Sequence, residues 1–182
     1  MRFVEAPLSG AYIVEPEKAY DERGFFARVW DARELEVRGL CGTWVQSSIS
    51  FNEKAGTLRG MHYQAAPHEE TKLITCTAGA VFDVIVDMRV DSPTFREWFA
   101  FELTARNNTT LYVPEGFAHG FMTLEDKSVV EYHMSEDYHP ASARGVRWDD
   151  PSLAIGWPNS PTVMTDRDRG LPCLGLLAPT EF

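Results

Sequence analysis

Residues 72–88, KLITCTAGAVFDVIVDM, carry the pattern that decides the fold. Two short runs rich in β-branched residues are separated by Ala78-Gly79, which is a turn signal. Successive side chains of a strand point to opposite faces, so each run presents two distinct faces. In the first run Lys72, Ile74 and Cys76 share a face, and in the second Asp83, Ile85 and Asp87 oppose Phe82, Val84 and Val86.

The same pattern of short runs and turn residues extends over most of the chain after Trp44. Strands at this spacing with almost no helix between them predict an all-β protein, an antiparallel barrel or sandwich. A helix of about two turns is predicted only near Asp31, the N-cap of a segment that Gly39 ends. The further predicted strands are TWVQSSIS (43–50), EWFAFELT (97–104), TTLYVP (109–114), GFMTL (120–124), SVVEYHM (128–134) and ARGVRW (143–148).

Length and charge narrow the class of protein. The chain has 182 residues, which predicts a single domain spanning 1–182. Its net charge of -10 argues against a nucleic-acid binder, which carries a basic excess. Three cysteines without a CxxC pair predict neither a disulfide framework nor a thiolate zinc site. No secretory signal and no apolar run long enough to cross a membrane is visible, so a soluble cytoplasmic protein is expected.

Two side chains on predicted inward faces are unusual for a barrel interior. Lys72 shares its face with Ile74, and Tyr132 shares its face with Val130. A buried amine must be paired or functional, although a lysine at a strand end can also extend its ammonium to water.

The chain has residues suited to acid–base catalysis but lacks the motifs for a metal site, a serine nucleophile or a phosphate loop. Barrels of the cupin type often hold a metal with a His-x-His pair, but Gln64 stands two residues after His62, so no metal is predicted. The chain has no GxSxG motif and no phosphate loop. His62 can abstract a proton near neutral pH, and Asp166 and Asp168 are candidates to orient an imidazole.

Several long segments together resemble the dTDP-4-dehydrorhamnose 3,5-epimerase family of deoxysugar-nucleotide epimerases. They occur in the family's order and spacing along nearly the whole chain. They are DERGFF (21–26), GTLRGMHYQ (56–64), FDVIVDMRVDSPTF (82–95), LYVPEGFAHGF (111–121) and RWDDPSLAIGWP (147–158).

The resemblance implies a cupin-like jelly-roll barrel with a few short helices, working without metal or cofactor on a nucleoside-diphospho-4-keto-6-deoxyhexose. It also implies a homodimer whose N-terminal strands cross into the partner's sheet. The family's roles fall on these residues: His62 as base, Asp168 as its orienting carboxylate, Lys72 at the keto oxygen, Tyr132 as proton donor, Arg59 and His119 by the diphosphate and sugar, and Arg23, Phe26 and Gln46 towards the nucleotide.

Two departures from the family pattern lie on the nucleotide side. Arg28 stands where the family often has Glu, and Ser47-Ser48 stands where it often has Asp-Asn. A CDP- or GDP-linked sugar therefore stays open beside dTDP, as does inversion of one carbon rather than two. The other open alternatives are a 3,4-ketoisomerase, a non-catalytic barrel that binds sugar nucleotides, and a metal-dependent oxygenase.

Overall fold

The computed structural model describes residues 1–177, which form mainly antiparallel strands. The elements are β1 (Arg2–Glu5), β2 (Tyr12–Glu15), β3 (Ala19–Asp21), β4 (Gly24–Phe26), α1 (Ala32–Glu36), β5 (Gln46–Asn52), β6 (Leu58–Gln64), β7 (Lys72–Ala78), β8 (Ala80–Asp87), β9 (Trp98–Thr104), β10 (Thr110–Val113), β11 (Phe117–Thr123), β12 (Ser128–Met134), β13 (Ala143–Gly145), α2 (Asp166–Arg169) and a 3-10 turn at Leu174–Leu176.

Two antiparallel sheets make the barrel. The larger sheet has the strand order β1-β2-β10-β7-β12-β5, and the smaller has the order β13-β6-β11-β8-β9. From β6 to β12 the chain passes from one sheet to the other at most connections, as in a jelly roll. The hairpin β3-β4 stands apart as a two-stranded sheet. The all-β antiparallel fold predicted from the sequence is confirmed.

The main core lies between the two sheets. Alternate residues of β7 and β8, among them Ile74 and Ile85, are fully buried there with Val130 of β12. A second apolar cluster covers the outer face of the smaller sheet under Leu153 and Leu174. A third lies on the outer face of the larger sheet, where Leu35 of α1 packs against Leu73 and Tyr112. Both sheets are therefore covered on parts of their outer faces, while the space between them holds the barrel interior.

The single predicted helix forms where expected but is shorter. Asp31 caps it by accepting hydrogen bonds from the backbone N–H groups of Arg33 and Glu34, at 3.0 and 3.3 Å. The helix ends at Glu36 because Gly39 adopts a φ of 72° and the Leu40 N–H returns to the Leu35 carbonyl at 3.0 Å. Among the described residues no helix is long and apolar enough to cross a bilayer.

Candidate active site

A cavity of about 560 Å³ opens between the two sheets. Strands β5, β7 and β12 of the larger sheet and β6 and β11 of the smaller sheet contribute to it, together with the α2 segment. The fold thus gathers side chains that are far apart in the sequence. Seven of the nine predicted site residues line the cavity: Gln46, Arg59, His62, Lys72, His119, Tyr132 and Asp168.

His62 and Asp168 form a close pair although 106 residues separate them. His62 Nε2 lies 2.7 Å from Asp168 Oδ1. The carboxylate is held in place by the short helix α2, whose N-cap Thr165 accepts a hydrogen bond from the Asp168 N–H at 3.2 Å. Because Nε2–H is donated to the carboxylate, Nδ1 of the neutral ring keeps its lone pair and can take a proton.

The surroundings of Asp168 favour its charged form. Its side chain is only 5% exposed, and burial raises the pKa of this carboxyl. The hydrogen bond and charge of His62 and the hydrogen bond from the Gly60 N–H outweigh burial, so the pKa lies below its ordinary value. An ionised Asp168 fixes the His62 tautomer and stabilises the imidazolium that forms when the ring accepts a proton.

A β-bulge in β6 brings Arg59 and His62 to the same face. His119 of β11 lies opposite His62, whereas Phe121, two residues on, lies opposite Arg59, three residues back. Residues 60–61 therefore face Gly120 alone. In a regular strand, side chains three positions apart point to opposite faces. The extra residue turns the Arg59 guanidinium towards the cavity, where its Nε donates to Asn52 Oδ1 at 2.8 Å.

A second imidazole–carboxylate pair lies deeper. His119 Nε2 is 2.9 Å from Asp83 Oδ2, and both side chains are buried. Burial raises the pKa of Asp83, against the lowering effects of His119 and then of the Lys72 charge. The ring of Tyr132 packs edge-on against His119, with 5.9 Å between the ring centroids.

Tyr132 keeps its proton at neutral pH. Burial, and after it the charge of Asp83, raises the pKa of this phenol well above its ordinary value, and Arg59 opposes the shift. Tyr132 belongs to β12 of the larger sheet, whereas His62 belongs to β6 of the smaller sheet. The cavity therefore has a proton acceptor on one wall and a protonated phenol on the facing wall.

Lys72 is nearly buried and paired. Its Nζ lies 2.8 Å from Glu70 Oε1, and the two side chains are 9% and 11% exposed. The alternation argument placed Lys72 inward, and the structure places it on the cavity wall. Its ammonium is thus available to a ligand in the cavity rather than extended to bulk water.

Two predicted residues lie elsewhere. Arg23 forms the turn between β3 and β4 and pairs with Asp21, while Phe26 ends β4 with 78% of its surface exposed. Neither lines the cavity of its own chain. Of the residues that depart from the family pattern, Ser48 lines the cavity, whereas Arg28 pairs with Asp31 at 3.0 Å.

Sequence reasoning missed Glu70, Asp83 and Ser50 as parts of the site. Alternation grouped Asp83 with Ile85 on one face of β8 but gave no partner for it, because its partner His119 is on another strand. Glu70 lies two residues before Lys72, so the signal was the spacing Glu-x-Lys ahead of a strand. Ser50 lies on β5 two residues after Ser48, on the same face of that strand.

The structure also places three metal-binding residue types together. Single ligand atoms of His68, Glu136 and His139 lie within 4.8 Å of one another. However, the two imidazoles are stacked face to face, with centroids 3.5 Å apart and planes 9° from parallel. The nitrogen lone pairs lie in the ring planes and so run side by side instead of converging on one ion. We assign no metal to this cluster.

Cys76 is not poised as a nucleophile. Burial is the main cause that raises the pKa of its thiol to about 11, so it stays protonated at neutral pH.

This barrel and its cavity define a class, the cupin-like barrels that hold a proton acceptor and a proton donor on facing walls. The chain belongs to the dTDP-4-dehydrorhamnose 3,5-epimerase family, whose family model matches residues 5–175.

Individual relatives agree with this assignment over the whole chain. The dTDP-4-dehydrorhamnose 3,5-epimerase of Sinorhizobium fredii is 40% identical over 187 residues, covering 100% of this chain and 93% of its own. The crystal structure of the enzyme from Bacillus anthracis with TDP and PPi bound has a TM-score of 0.91 and 44% identity, covering 95% of this chain and 99% of its own. The dTDP-6-deoxy-D-glucose-3,5-epimerase from Legionella pneumophila, in complex with dTDP-4-keto-L-rhamnose, has a TM-score of 0.90 and 36% identity, covering 97% and 94%.

Proposed function

We propose that this enzyme inverts carbons 3 and 5 of a dTDP-linked 4-keto-6-deoxyhexose for deoxysugar and surface polysaccharide biosynthesis. The observation that carries the proposal is the placement of the His62–Asp168 pair and the protonated Tyr132 on facing walls of one cavity. Inversion requires that a proton leave one face of a carbon and another arrive at the opposite face. The reaction as proposed uses neither metal nor cofactor.

Proton removal begins at His62. The 4-keto group acidifies the hydrogens on carbons 3 and 5, and Nδ1 of the neutral imidazole takes one of them. Asp168 stabilises the resulting imidazolium, and the Lys72 ammonium stabilises the enolate oxygen. A donor already aimed at a developing oxyanion is worth about 3 to 4 kcal/mol in one measured case. Tyr132 then delivers a proton from the other wall. Before the second carbon reacts, the His62 imidazolium gives its proton to solvent and the Tyr132 phenolate takes one back, so the same steps can complete the double inversion.

The remaining cavity residues suit the rest of the nucleotide sugar. Arg59 carries a guanidinium that can hold a diphosphate by paired hydrogen bonds. His119 packs against Tyr132 and would contact the sugar, and Gln46, also on the cavity wall, would contact the nucleotide. TDP in the Bacillus anthracis structure supports thymidine as the base. Ser48 on the cavity wall is the reason to test CDP- and GDP-linked analogues beside it.

The proposed working unit is a homodimer. Large apolar side chains are exposed on the β3-β4 hairpin and on the edge strand β5, among them Tyr20, Phe26, Ile49 and Phe51, which are 72%, 78%, 73% and 52% exposed. A second copy of the chain would cover these surfaces and bring Arg23 and Phe26 to the partner's cavity, where they would contact the nucleotide. The single-domain organisation over 1–182 and a cytoplasmic location stay predictions.

Hydrogen exchange tests the proposed reaction directly. The protein is incubated with dTDP-4-keto-6-deoxyglucose in heavy water, and carbons 3 and 5 are followed by NMR. We expect deuterium at both carbons, and its loss in His62→Ala. His133→Ala, the same substitution on the outer face of β12, serves as the matched control and should keep the exchange.

The other outcomes separate the alternatives. Deuterium at one carbon would make the protein a single-centre epimerase. Exchange only with the CDP- or GDP-linked sugar would correct the nucleotide and leave the chemistry standing. Binding of all three sugars without exchange would contradict the catalytic proposal and favour a barrel that only binds nucleotide sugars.

A further inference from the structure

The Glu70–Lys72 ion pair lies on the wall of the cavity and is almost shielded from water. Its 2.8 Å separation is that of a charge-assisted hydrogen bond. An ammonium has three N–H donors, so one bond to Glu70 leaves two for other acceptors. The pair therefore fixes the Lys72 Nζ without using up its capacity to bind a substrate oxygen.

The backbone around Glu70 is itself held firmly. Thr71, which lies between the paired residues, donates its N–H to Ser135 Oγ at 2.8 Å, and its carbonyl accepts from the Ser135 N–H at 3.0 Å. These two bonds join the segment before β7 to the residue that follows β12. Lysine, in contrast, carries its ammonium on a flexible four-carbon stem. Glu70 is thus the anchored partner and Lys72 the adjustable one.

Asp83 is a second carboxylate that can attract the Lys72 ammonium, so the bond to Glu70 matters for the position of that ammonium. The charge of Lys72 is close enough to Asp83 to contribute to that residue's pKa. Asp83 is fully buried beside His119, in the deeper pair of the cavity. Without Glu70, the electrostatic attraction of Asp83 would draw the ammonium inwards, away from an oxygen of the bound sugar.

We propose that Glu70 is a positioning residue that holds the Lys72 ammonium where the keto oxygen of the substrate binds. This inference rests on the proposed function. It assigns Glu70 no contact with the substrate, because its role is to act through Lys72.

A double-mutant cycle measures that dependence. The exchange reaction in heavy water is followed for the wild type, Glu70→Ala, Lys72→Ala and the double variant. We expect Glu70→Ala to lower kcat roughly 10- to 100-fold, with KM within about twofold because uniform binding is untouched. In the Lys72→Ala background the same substitution should have no further effect. Glu70→Gln should recover most of the activity, since its amide oxygen still accepts from the ammonium.

Glu69→Ala is the matched control, because Glu69 is the adjacent acid and lines a separate, smaller cavity. It should leave kcat unchanged. An equal loss from Glu70→Ala in both backgrounds, or full activity of Glu70→Ala, would overturn the proposal. A loss that follows the melting temperature and that Glu70→Gln does not relieve would show a purely structural role and would also overturn it.

The ammonium can also be observed without any reaction. The chain has four lysines, Lys18, Lys54, Lys72 and Lys127, so a proton–nitrogen spectrum of the lysine ammonium groups is simple to assign. We expect the Lys72 signal to shift in Glu70→Ala and the other three to stay in place. An unmoved Lys72 signal would overturn the proposal. If the wild type exchanges no substrate hydrogen, the proposed function fails, whereas this spectrum still decides whether Glu70 sets the position of Lys72.

Discussion

At the scale of single residues, three carboxylates of the site are each paired with a basic side chain. Asp168 lies against His62, Asp83 against His119, and Glu70 against Lys72. A buried charge without a partner is costly, so pairing allows several ionisable groups to lie together in a barrel interior. Tyr132 needs no counter-charge because its phenol is neutral, and the Arg59 guanidinium donates to an amide oxygen, that of Asn52. The arrangement keeps an acid and a base available at the same pH.

Tyr132→Phe tests the role of the phenol. Because burial and Asp83 keep Tyr132 protonated, the variant removes the acid on one wall and leaves His62 on the other. We expect hydrogen exchange at the substrate to continue while formation of the inverted sugar falls roughly 10²- to 10⁴-fold. NMR of the sugar measures both quantities in one experiment.

Tyr12→Phe, which removes the same hydroxyl on the outer face of the larger sheet, is the control and should behave as the wild type. Full epimerisation by Tyr132→Phe would contradict the assignment of this phenol as the proton donor on the opposite face.

The sequence predicted a site residue well where its own strand sets its direction. It predicted less where the residue depends on a distant segment or on another chain. Alternation alone placed Lys72 and Tyr132 inside, because both lie where β7 and β12 pair without a register shift. Alternation could not give the His62–Asp168 pair, since its members lie on β6 and α2. Residue chemistry offered Asp166 and Asp168 alike, and the family resemblance selected Asp168. The proposed role of Arg23 and Phe26 requires a partner chain, so one chain's alternation could neither predict nor exclude it.

At the scale of secondary-structure elements, the bulge in β6 sets the direction of a site residue, Arg59. Gly60 has a φ of 132°, and a Cβ there would lie 2.5 Å from Gly120 Cα of β11. A Cβ on Gly120 would lie 2.6 Å from Met61 Sδ and 2.8 Å from the Arg59 carbonyl oxygen. Two strands can approach this closely only where both residues lack a side chain.

Gly120→Ala should therefore disturb both stability and binding. The new methyl forces the Arg59 backbone to move, which we expect to lower the free energy of unfolding by roughly 1 to 3 kcal/mol. It should also raise KM for the nucleotide sugar, because the Arg59 guanidinium moves with its backbone. Urea unfolding and steady-state kinetics measure the two effects.

Gly175→Ala places a methyl that has no atom within 4 Å among the non-adjacent residues of 1–177, and it should change the free energy of unfolding by less than about 0.5 kcal/mol. Equal free energies of unfolding for Gly120→Ala and Gly175→Ala would show that the close contact at the bulge does not constrain the strands.

The same bulge explains where prediction of the strands failed. SVVEYHM was predicted as a strand and β12 has the same bounds, because its alternation is regular. The strand β6 was missed, since its period breaks at Gly60 and its glycine-containing sequence resembles a turn. β5 begins at Gln46 instead of Thr43, and ARGVRW contributes only Ala143–Gly145. Short strands at sheet edges depend on pairing partners that local sequence does not reveal.

At the scale of the whole molecule, buried carboxylates set the response to acid. Burial raises the pKa values of Asp87, Asp150 and Asp168, but hydrogen bonds outweigh it, and all three pKa values lie below the ordinary range. The unfolded chain then binds protons at higher pH than the folded chain, since a free Asp titrates near about 3.9. The stability these groups contribute is present above that pH and is lost as pH falls through their folded-state values.

Asp87→Asn isolates one of these contributions. Asp87 is fully buried and accepts hydrogen bonds from Arg89, Ser92 and Thr94 at 2.5 to 3.0 Å. We expect the free energy of unfolding of the variant to be roughly 2 kcal/mol lower at neutral pH. Between about pH 5 and 3 it should fall less steeply than that of the wild type. Urea unfolding across that range measures the slope. Asp91→Asn, an exposed neighbour, should retain the wild-type slope, and an unchanged slope in Asp87→Asn would refute the assignment.

The proposed dimer requires that each active site contain residues from both chains. Arg23 and Phe26 lie outside their own chain's cavity, so a role at the nucleotide requires that they reach the cavity of a partner. A variant carrying Arg23→Ala and Phe26→Ala would then be defective in binding, and His62→Ala would be defective in chemistry. In a mixed dimer one site has both defects and the other has neither.

Refolding the two variants together should therefore restore activity that neither has alone. Half of the dimers are mixed and one site in each is intact, which gives about a quarter of the wild-type activity for a two-fold dimer. The wild type should also scatter X-rays as a dimer in solution. Scattering of a monomer would refute the dimer, whereas a dimer without restored activity would place Arg23 and Phe26 outside the nucleotide site. The same mixture of intact wild-type protein with His62→Ala, which contains no hairpin defect, shows the dilution expected without complementation.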